Sequence, residues 1–365
     1  MKNWDAIIIG AGIIGLSLAI DLNKQGLRVL IVEKGDPGRE SSWAAGGMLC
    51  DSPLETQAAL QDLATASARM YPEFVRELEF ESGLKIDLRN QGTILFPSLE
   101  QIRHPQISGA APANLEEREP ALGKLTFEKE SDLPFDAMLG PAFYLKERCV
   151  DPRHLTDAAI AAARHRSIDF SSGDEVLGVN LTNGKASGVR TNETQFAADI
   201  VVNCAGAWAG QIAPHPFPTR PVKGQMLCIA MPEKELVRHV VRAPDVYLIP
   251  RSDGRLLIGA TSEEAGFDKQ TVPETILKLR QAAIKLVPKL ANARILDSWA
   301  GLRPGTPDKL PILGATSAPG YFVATGHFRD GILLAPVTAK LMASLITGRQ
   351  PQIDLAKFSP NRFTN

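Results

Sequence analysis

The chain begins with a continuous apolar run, Ala6 to Ile9, of the kind a parallel strand buried on both faces shows. Gly10, Gly12 and Gly15 follow at once, and Leu16, Leu18, Ala19, Ile20 and Leu22 then carry a helix that Gly26 stops. Residues 27–32, apolar but for Arg28, form a second strand ending at Glu33, so the first thirty residues read as strand, helix, strand. Residues 53–81 have helical spacing, with Leu60, Leu63, Met70, Phe74 and Leu78 as the apolar face and a kink or break at Tyr71-Pro72. Short strands at 93–96 and 142–146 surround a polar stretch with several prolines between Pro105 and Pro120.

Asp151-Pro152 supplies an N-cap and a first-turn proline for a helix over 155–164. Residues 170–176 return as a strand, 179–181 and 188–190 flank the hairpin signal Asn183-Gly184, and 198–204 runs apolar into Ala205-Gly206-Ala207-Trp208. The next part is strand-rich: 222–231, 247–250 and 256–260, with a turn at Ser252 to Gly254. Alternation puts Tyr247 and Ile249 on one face, Val246 and Leu248 on the other. An amphipathic helix over 273–287 and a strand around Trp299 lead to an arginine, Arg303, held between glycine and proline. A final buried strand, 321–325, enters the turn Gly326 to Gly331 and a helix over 332–347.

This order predicts an α/β fold, α+β overall: a Rossmann-like dinucleotide-binding domain with an interleaved antiparallel-sheet substrate domain. The first is assigned residues 1–84, 147–219 and 298–365, the second 85–146 and 220–297.

G-x-G-x-x-G at a strand-to-helix turn has a mechanical reading: Gly10 allows the tight turn, Gly12 the approach of a pyrophosphate, Gly15 close helix–strand packing. The helix N-terminus then faces the phosphates, and Glu33, about twenty residues on, is read as the ribose-binding acid. Because Glu33 would repel a 2′-phosphate, FAD and NAD remain and NADP is disfavoured. Small residues from Ser41 to Gly47 would bring bare backbone against a large flat ligand, which points toward a flavin.

Composition narrows the rest. With 365 residues, 44% hydrophobic, 22% charged, the chain reads as soluble and large enough for two domains. A net charge of −1 predicts no attraction to nucleic acid or anionic membrane. The four cysteines show no C-x-x-C pair, which suits a reducing cytoplasm, and none of the six histidines has metal-ligand spacing, so no metal is expected.

The runs SSWAAGGML, VVNCAGAWAG, RPVKGQML, YLIPRSDGRLLIGAT, WAGLRPGTPDKLPILG and ATGHFRDGILLAPVTAKLMASLI, together with the glycine fingerprint, resemble the glycine oxidase family. These are FAD-dependent amine oxidases of bacterial thiamine biosynthesis, within the D-amino-acid and sarcosine oxidase group. The resemblance implies non-covalent FAD held by Gly10, Gly12, Ile14, Gly15, Glu33, Lys34, Ser41, Ser42, Ala44, Ala45, Gly47, Met48, Val176, Ala205, Gly206, Trp208, His327, Phe328, Arg329, Asp330, Gly331 and Ile332. The closing turn, His327 to Ile332, would lie under the pyrimidine edge of the flavin. Arg303 would fork onto the substrate carboxylate, a geometry lysine does not reproduce. Tyr247 would donate to the same carboxylate, Arg329 would close the site, and Cys50, Asp245 and Ser262 would complete the substrate pocket.

Two departures from the family bear on specificity. Cys50 stands where a small residue is usual, and Asp245-Val246 precedes Tyr247 where a histidine is common; Asp245, facing the pocket, would disfavour a second carboxylate such as that of iminodiacetate. The reaction implied is oxidation of glycine, sarcosine or small D-amino acids by dioxygen to an imine, hydrolysed to an oxo-acid and ammonia, with hydrogen peroxide released. The resemblance further implies a homotetramer and a functional link to thiazole synthase. A related dehydrogenase, an oxidase of another secondary amine and a catalytically silent flavin-holding subunit are the alternative readings.

Overall fold

The computed structural model describes residues 4–53, 55–96, 123–125 and 142–363. The proline-containing stretch 105–120 lies outside them.

A six-stranded sheet is built around β1 (Ala6–Ile9). On one side β1 pairs in parallel with β2 (Val29–Glu33), which pairs with Asp169–Ser172. On the other side come Ile200–Asn203 and Tyr321–Thr325, also parallel, and then the antiparallel edge strand Ile312–Ala315. Alternation along β1 splits its side chains between two cores. Ala6 and Ile8 pack with the helices α1 (Ile13–Lys24), Gln61–Ser82, Pro152–His165 and Gly331–Ile346, whereas Ile7 and Ile9 face Val176, Val179, Ala186 and Val189 of a small antiparallel sheet. That arrangement of layers is the Rossmann-like α/β class expected from the sequence.

Local signals explain most boundaries. Asp151 accepts the Arg153 N–H at 2.9 Å as N-cap of the helix that Pro152 opens. Asn183 and Gly184 both have positive φ, 51° and 78°, as a two-residue hairpin between Val176–Thr182 and Lys185–Thr191 demands. The expected strand over 170–176 is instead two: Gly173, at φ 77°, turns the chain out of the parallel sheet after Ser172, and Val176 starts the small sheet.

Pro72 neither ends nor breaks its helix, which begins at Gln61 after a single 3₁₀ turn and runs to Ser82. Its missing N–H would have met the Ala68 carbonyl, and Arg148 Nη1 approaches that oxygen at 3.4 Å in its place. The last long helix, Gly331–Ile346, contains Pro336, and the same solution recurs. Tyr71 Oη donates to the orphaned Ile332 carbonyl at 2.5 Å, and Ser67 Oγ donates to the Leu333 carbonyl at 2.6 Å.

An eight-stranded sheet contains Gly123–Leu125, Ala142–Leu145, Thr93–Leu95, Val240–Arg242, Tyr247–Pro250, Arg255–Gly259, Arg220–Ala230 and Arg294–Gly305. Its pairings are antiparallel except that Val240–Arg242 runs parallel to Thr93–Leu95. One face, with Val246, Leu248 and Ile258, is covered by the helix Pro273–Leu286. The other, with Met226, Tyr247, Ile249 and Trp299, meets Trp43, Ala44 and Met48 of the small-residue segment. No helix among the described residues is long and apolar enough to cross a membrane.

Candidate active site

A cavity of about 640 Å³ lies where β1, Ile200–Asn203 and Tyr321–Thr325 end, the place where parallel α/β sheets bind ligands. From that side it is lined by Gly12, Ile13, Ile14, Cys204, Gly206, Thr325 and residues 327–332, and from the segment after β2 by Ser41, Ser42, Ala44, Ala45, Gly46, Gly47 and Met48. The eight-stranded sheet contributes Gly224, Met226, Arg242, Asp245, Tyr247, Gly259, Gly301 and Arg303. Cys50 and Glu55 also line it.

Two helix N-termini converge on this space. Neither α1 nor Gly331–Ile346 has an acidic residue in its first turn; Ser42 Oγ accepts the Ile13 N–H of α1 at 2.9 Å and Asp330 is the N-cap residue of the second helix, and the remaining first-turn N–H groups and positive dipole ends face the cavity. A β-carbon on Gly206 would meet nothing within 4 Å, and one on Gly12 only the Ser42 hydroxyl at 3.3 Å, leaving backbone bare to a ligand. A dinucleotide with a pyrophosphate near one helix and a ring that gains negative charge near the other fits this surface. The other two glycines of the fingerprint serve packing: a β-carbon would fall 2.7 Å from the Cys204 carbonyl at Gly10, and 2.1 Å from the Gly10 carbonyl at Gly15.

Several residues assigned to the cofactor lie outside the cavity lining. Glu33 Oε2 accepts the Ala11 N–H at 2.8 Å and Oε1 the Gly35 N–H at 3.0 Å, so its carboxylate ties the glycine turn to the end of β2. Lys34 Nζ sits 3.3 Å above the Trp208 ring, each occupying the other. Val176 is buried in the core as the first residue of the small sheet, and the Ala205 N–H donates to Asn203 Oδ1. Ser262 is exposed; the neighbouring Thr261 carbonyl is the group that accepts from Arg303, at 3.0 Å.

Tyr247 and Arg303 do come together. Tyr247 stands opposite Gly259 across the ladder, and its ring occupies the space that a β-carbon there would need. Burial raises the Tyr247 hydroxyl, opposed by the charges of Arg303 and Arg329. Burial likewise lowers the Arg303 guanidinium, partly offset by Tyr247. A phenol donor and a forked cation beside one another offer the hydrogen-bond donors that a carboxylate accepts. In the turn after Tyr321–Thr325, His327 is buried, its pKa pushed down to about 3, so it is neutral, with Nε2 3.1 Å from Thr338 Oγ1. Asp330 is raised to about 6 by burial against the pull of Arg329.

Sequence reading missed one group. Arg242, 7% exposed, bonds Glu147 Oε2 at 2.5 Å, the Glu55 carboxylate and Cys50 Sγ. Glu147 is raised to about 7, first by burial and further by Glu55, because two carboxylates share one guanidinium. Its one signal is an apolar strand, Val240–Arg242, that ends in a charge. A second omission is the fully buried Arg251, whose Nη2 donates to the Gly46 carbonyl at 2.7 Å and so fixes the small-residue segment.

Comparison with known proteins identifies the family. Residues 5–345 match the family model described as FAD dependent oxidoreductase. The glycine oxidase of Pseudomonas aeruginosa is 34% identical over 97% of this chain and 98% of its own length. The bifunctional protein ThiO/ThiG of Trichormus variabilis is 35% identical over 98% of the chain, but the chain spans only 55% of that protein. The crystal structure of glycine oxidase from Geobacillus kaustophilus superposes with a TM-score of 0.92 at 32% identity, covering both chains completely. The chain thus belongs to the FAD dependent oxidoreductase family and is an FAD-dependent amine oxidase.

Proposed function

We propose that the protein oxidises glycine, and with it sarcosine and small D-amino acids, to the imine, which water converts to an oxo-acid and ammonia while dioxygen becomes hydrogen peroxide. The observation that carries this reading is the contact of Tyr247 and Arg303 in the cavity wall, a receptor for the carboxylate of a small amino acid. Arg303 orients the substrate through that carboxylate, Tyr247 donates to it, and Arg329 at the mouth adds charge that draws the anion in. The segments 12–14, 41–48, 206 and 327–332 hold FAD, which accepts the substrate's electron pair and passes it to dioxygen. The chain's own contribution is positioning and a dry wall; none of the cavity residues is required as a strong base. The eight-stranded sheet then acts as the substrate-binding unit, with the six-stranded sheet holding the cofactor. The likeness to the ThiO portion of ThiO/ThiG supports supply of the product to thiazole synthesis.

Anaerobic mixing of the FAD-loaded protein with a panel of amino acids, followed at the oxidised flavin band, tests the reading: glycine should bleach the band, and admission of air should restore it with one peroxide per turnover. A yellow protein that glycine leaves unchanged overturns the reading. Bleaching without peroxide under air would mark a dehydrogenase.

A further inference from the structure

Besides the half-buried Tyr247–Arg303 pair, the cavity wall holds a second guanidinium, and this one is buried. Arg242 is the ladder partner of Tyr247, one strand farther from Arg303. It lines the cavity, and its Nε has no hydrogen-bond partner among the described residues. Its other nitrogens engage two carboxylates of very different standing. Glu147, with its side chain 3% exposed, is enclosed behind Arg242, whereas Glu55 lines the cavity on the loop before the Ala58–Leu60 turn and its side chain is 24% exposed.

A cationic wall group facing a ligand cavity is an anion receptor. Here the receptor is filled from within, and Glu55, at the accessible side, is the filler. A ligand carboxylate arriving at Arg242 would have to displace Glu55 or lie against both acids, and like charges packed that closely in a desolvated wall repel strongly. Asp245, to which the sequence assigns this discrimination, also lines the cavity and is exposed like Glu55, but it is Glu55 that is bonded to Arg242.

We propose that Arg242 is a second carboxylate subsite kept closed by Glu55, and that this closure restricts the enzyme to substrates bearing one carboxylate. The excluded class is amino and imino dicarboxylates, with iminodiacetate as the probe. The inference rests on the reading of Arg303 as anchor for the first carboxylate.

The test compares kcat/KM for iminodiacetate and for glycine in the FAD-loaded wild type, Glu55→Gln and Glu55→Asp. Glu55→Gln should raise the iminodiacetate-to-glycine ratio tenfold or more, chiefly through KM for iminodiacetate, while Glu55→Asp, which keeps the charge, should leave it within twofold of wild type. A ratio that stays put in Glu55→Gln, or rises equally in Glu55→Asp, overturns the proposal. The combined variant Glu55→Gln/Glu147→Gln/Arg242→Met, which leaves no buried carboxylate uncompensated, should lose the gain; a gain that survives there also overturns it. Calorimetric binding of iminodiacetate to wild type and Glu55→Gln reads the subsite without turnover. If no form oxidises any amine, the oxidase reading fails, yet tenfold tighter binding to Glu55→Gln still supports the subsite and equal binding overturns it.

Discussion

The guanidinium of Arg303 lies flat against the bare backbone of Gly224: a β-carbon on that glycine would stand 2.4 Å from both of its terminal nitrogens. Arg303 pairs with Val222 across the ladder, so its side chain reaches diagonally over the neighbouring strand, and only glycine leaves it room. Gly224→Ala is therefore expected to push the fork out of position while the sheet still forms, because the clashing atoms are the far end of a flexible side chain. KM for glycine should rise tenfold or more, a loss of about 1.4 kcal/mol in binding. Arg303→Lys, which keeps the charge but loses the fork, should do at least as much. Steady-state kinetics check both, and an unaltered KM in either variant would remove Arg303 from the carboxylate receptor.

Tyr71 supplies the hydrogen that Pro336 withholds from the Ile332 carbonyl. Tyr71→Phe leaves a buried acceptor unmet and should lower unfolding stability by about 1–3 kcal/mol. Pro336→Ala offers a backbone N–H to the same carbonyl, so the cost of Tyr71→Phe should shrink in that background. Urea unfolding of the four proteins forms a double-mutant cycle, and strictly additive losses would rule out the shared acceptor.

Buried His327, with its pKa near 3 against an ordinary 6.5, binds fewer protons folded than unfolded between those values. Its contribution to stability is complete above pH 6.5 and is lost as pH falls, by about 1.4 kcal/mol per pH unit toward pH 3. In His327→Gln the fall in stability between pH 6.5 and 4 should be shallower by about one proton. An identical slope in both proteins would show that the imidazole is not held neutral.

Asp330, raised to about 6, and Glu147, raised to about 7, both lose negative charge as pH falls. A monocarboxylate such as acetate should therefore bind the cavity more tightly at pH 5.5 than at pH 8, in two overlapping steps. Asp330→Asn should remove the lower step and leave the upper one. Calorimetric titration across that range decides it; a wild-type affinity independent of pH would mean that neither acid senses the ligand.

How much of this was legible follows from range. The strand, the three glycines, α1 and β2 are local, and so are the Asp151 cap and the Asn183-Gly184 turn; each was readable because its cause lies within a few residues. Tyr247 and Arg303 were legible only through resemblance, since nothing in their spacing says that two strands place them side by side. Pro72 misled because the donor that replaces its N–H, Arg148, comes from a segment 76 positions on. Arg242 escaped for the same reason: Glu55 and Glu147 reach it from two distant parts of the chain, with no periodicity to announce them. In the sequence Lys34 and Trp208 stand as separate ligand contacts, because their mutual stacking joins the end of β2 to a turn after another strand.

The helix Gly331–Ile346 is buried along most of its length against α1 and Gln61–Ser82. It also leaves the ribosome some three hundred residues after α1. Until it emerges, α1 has synthesised partners on only part of its apolar surface, and the nascent chain carries that uncovered surface through more than three hundred residues of translation. Shielding by chaperones during synthesis should therefore govern yield, and a deletion reaching into this helix should give insoluble protein rather than a folded, inactive enzyme.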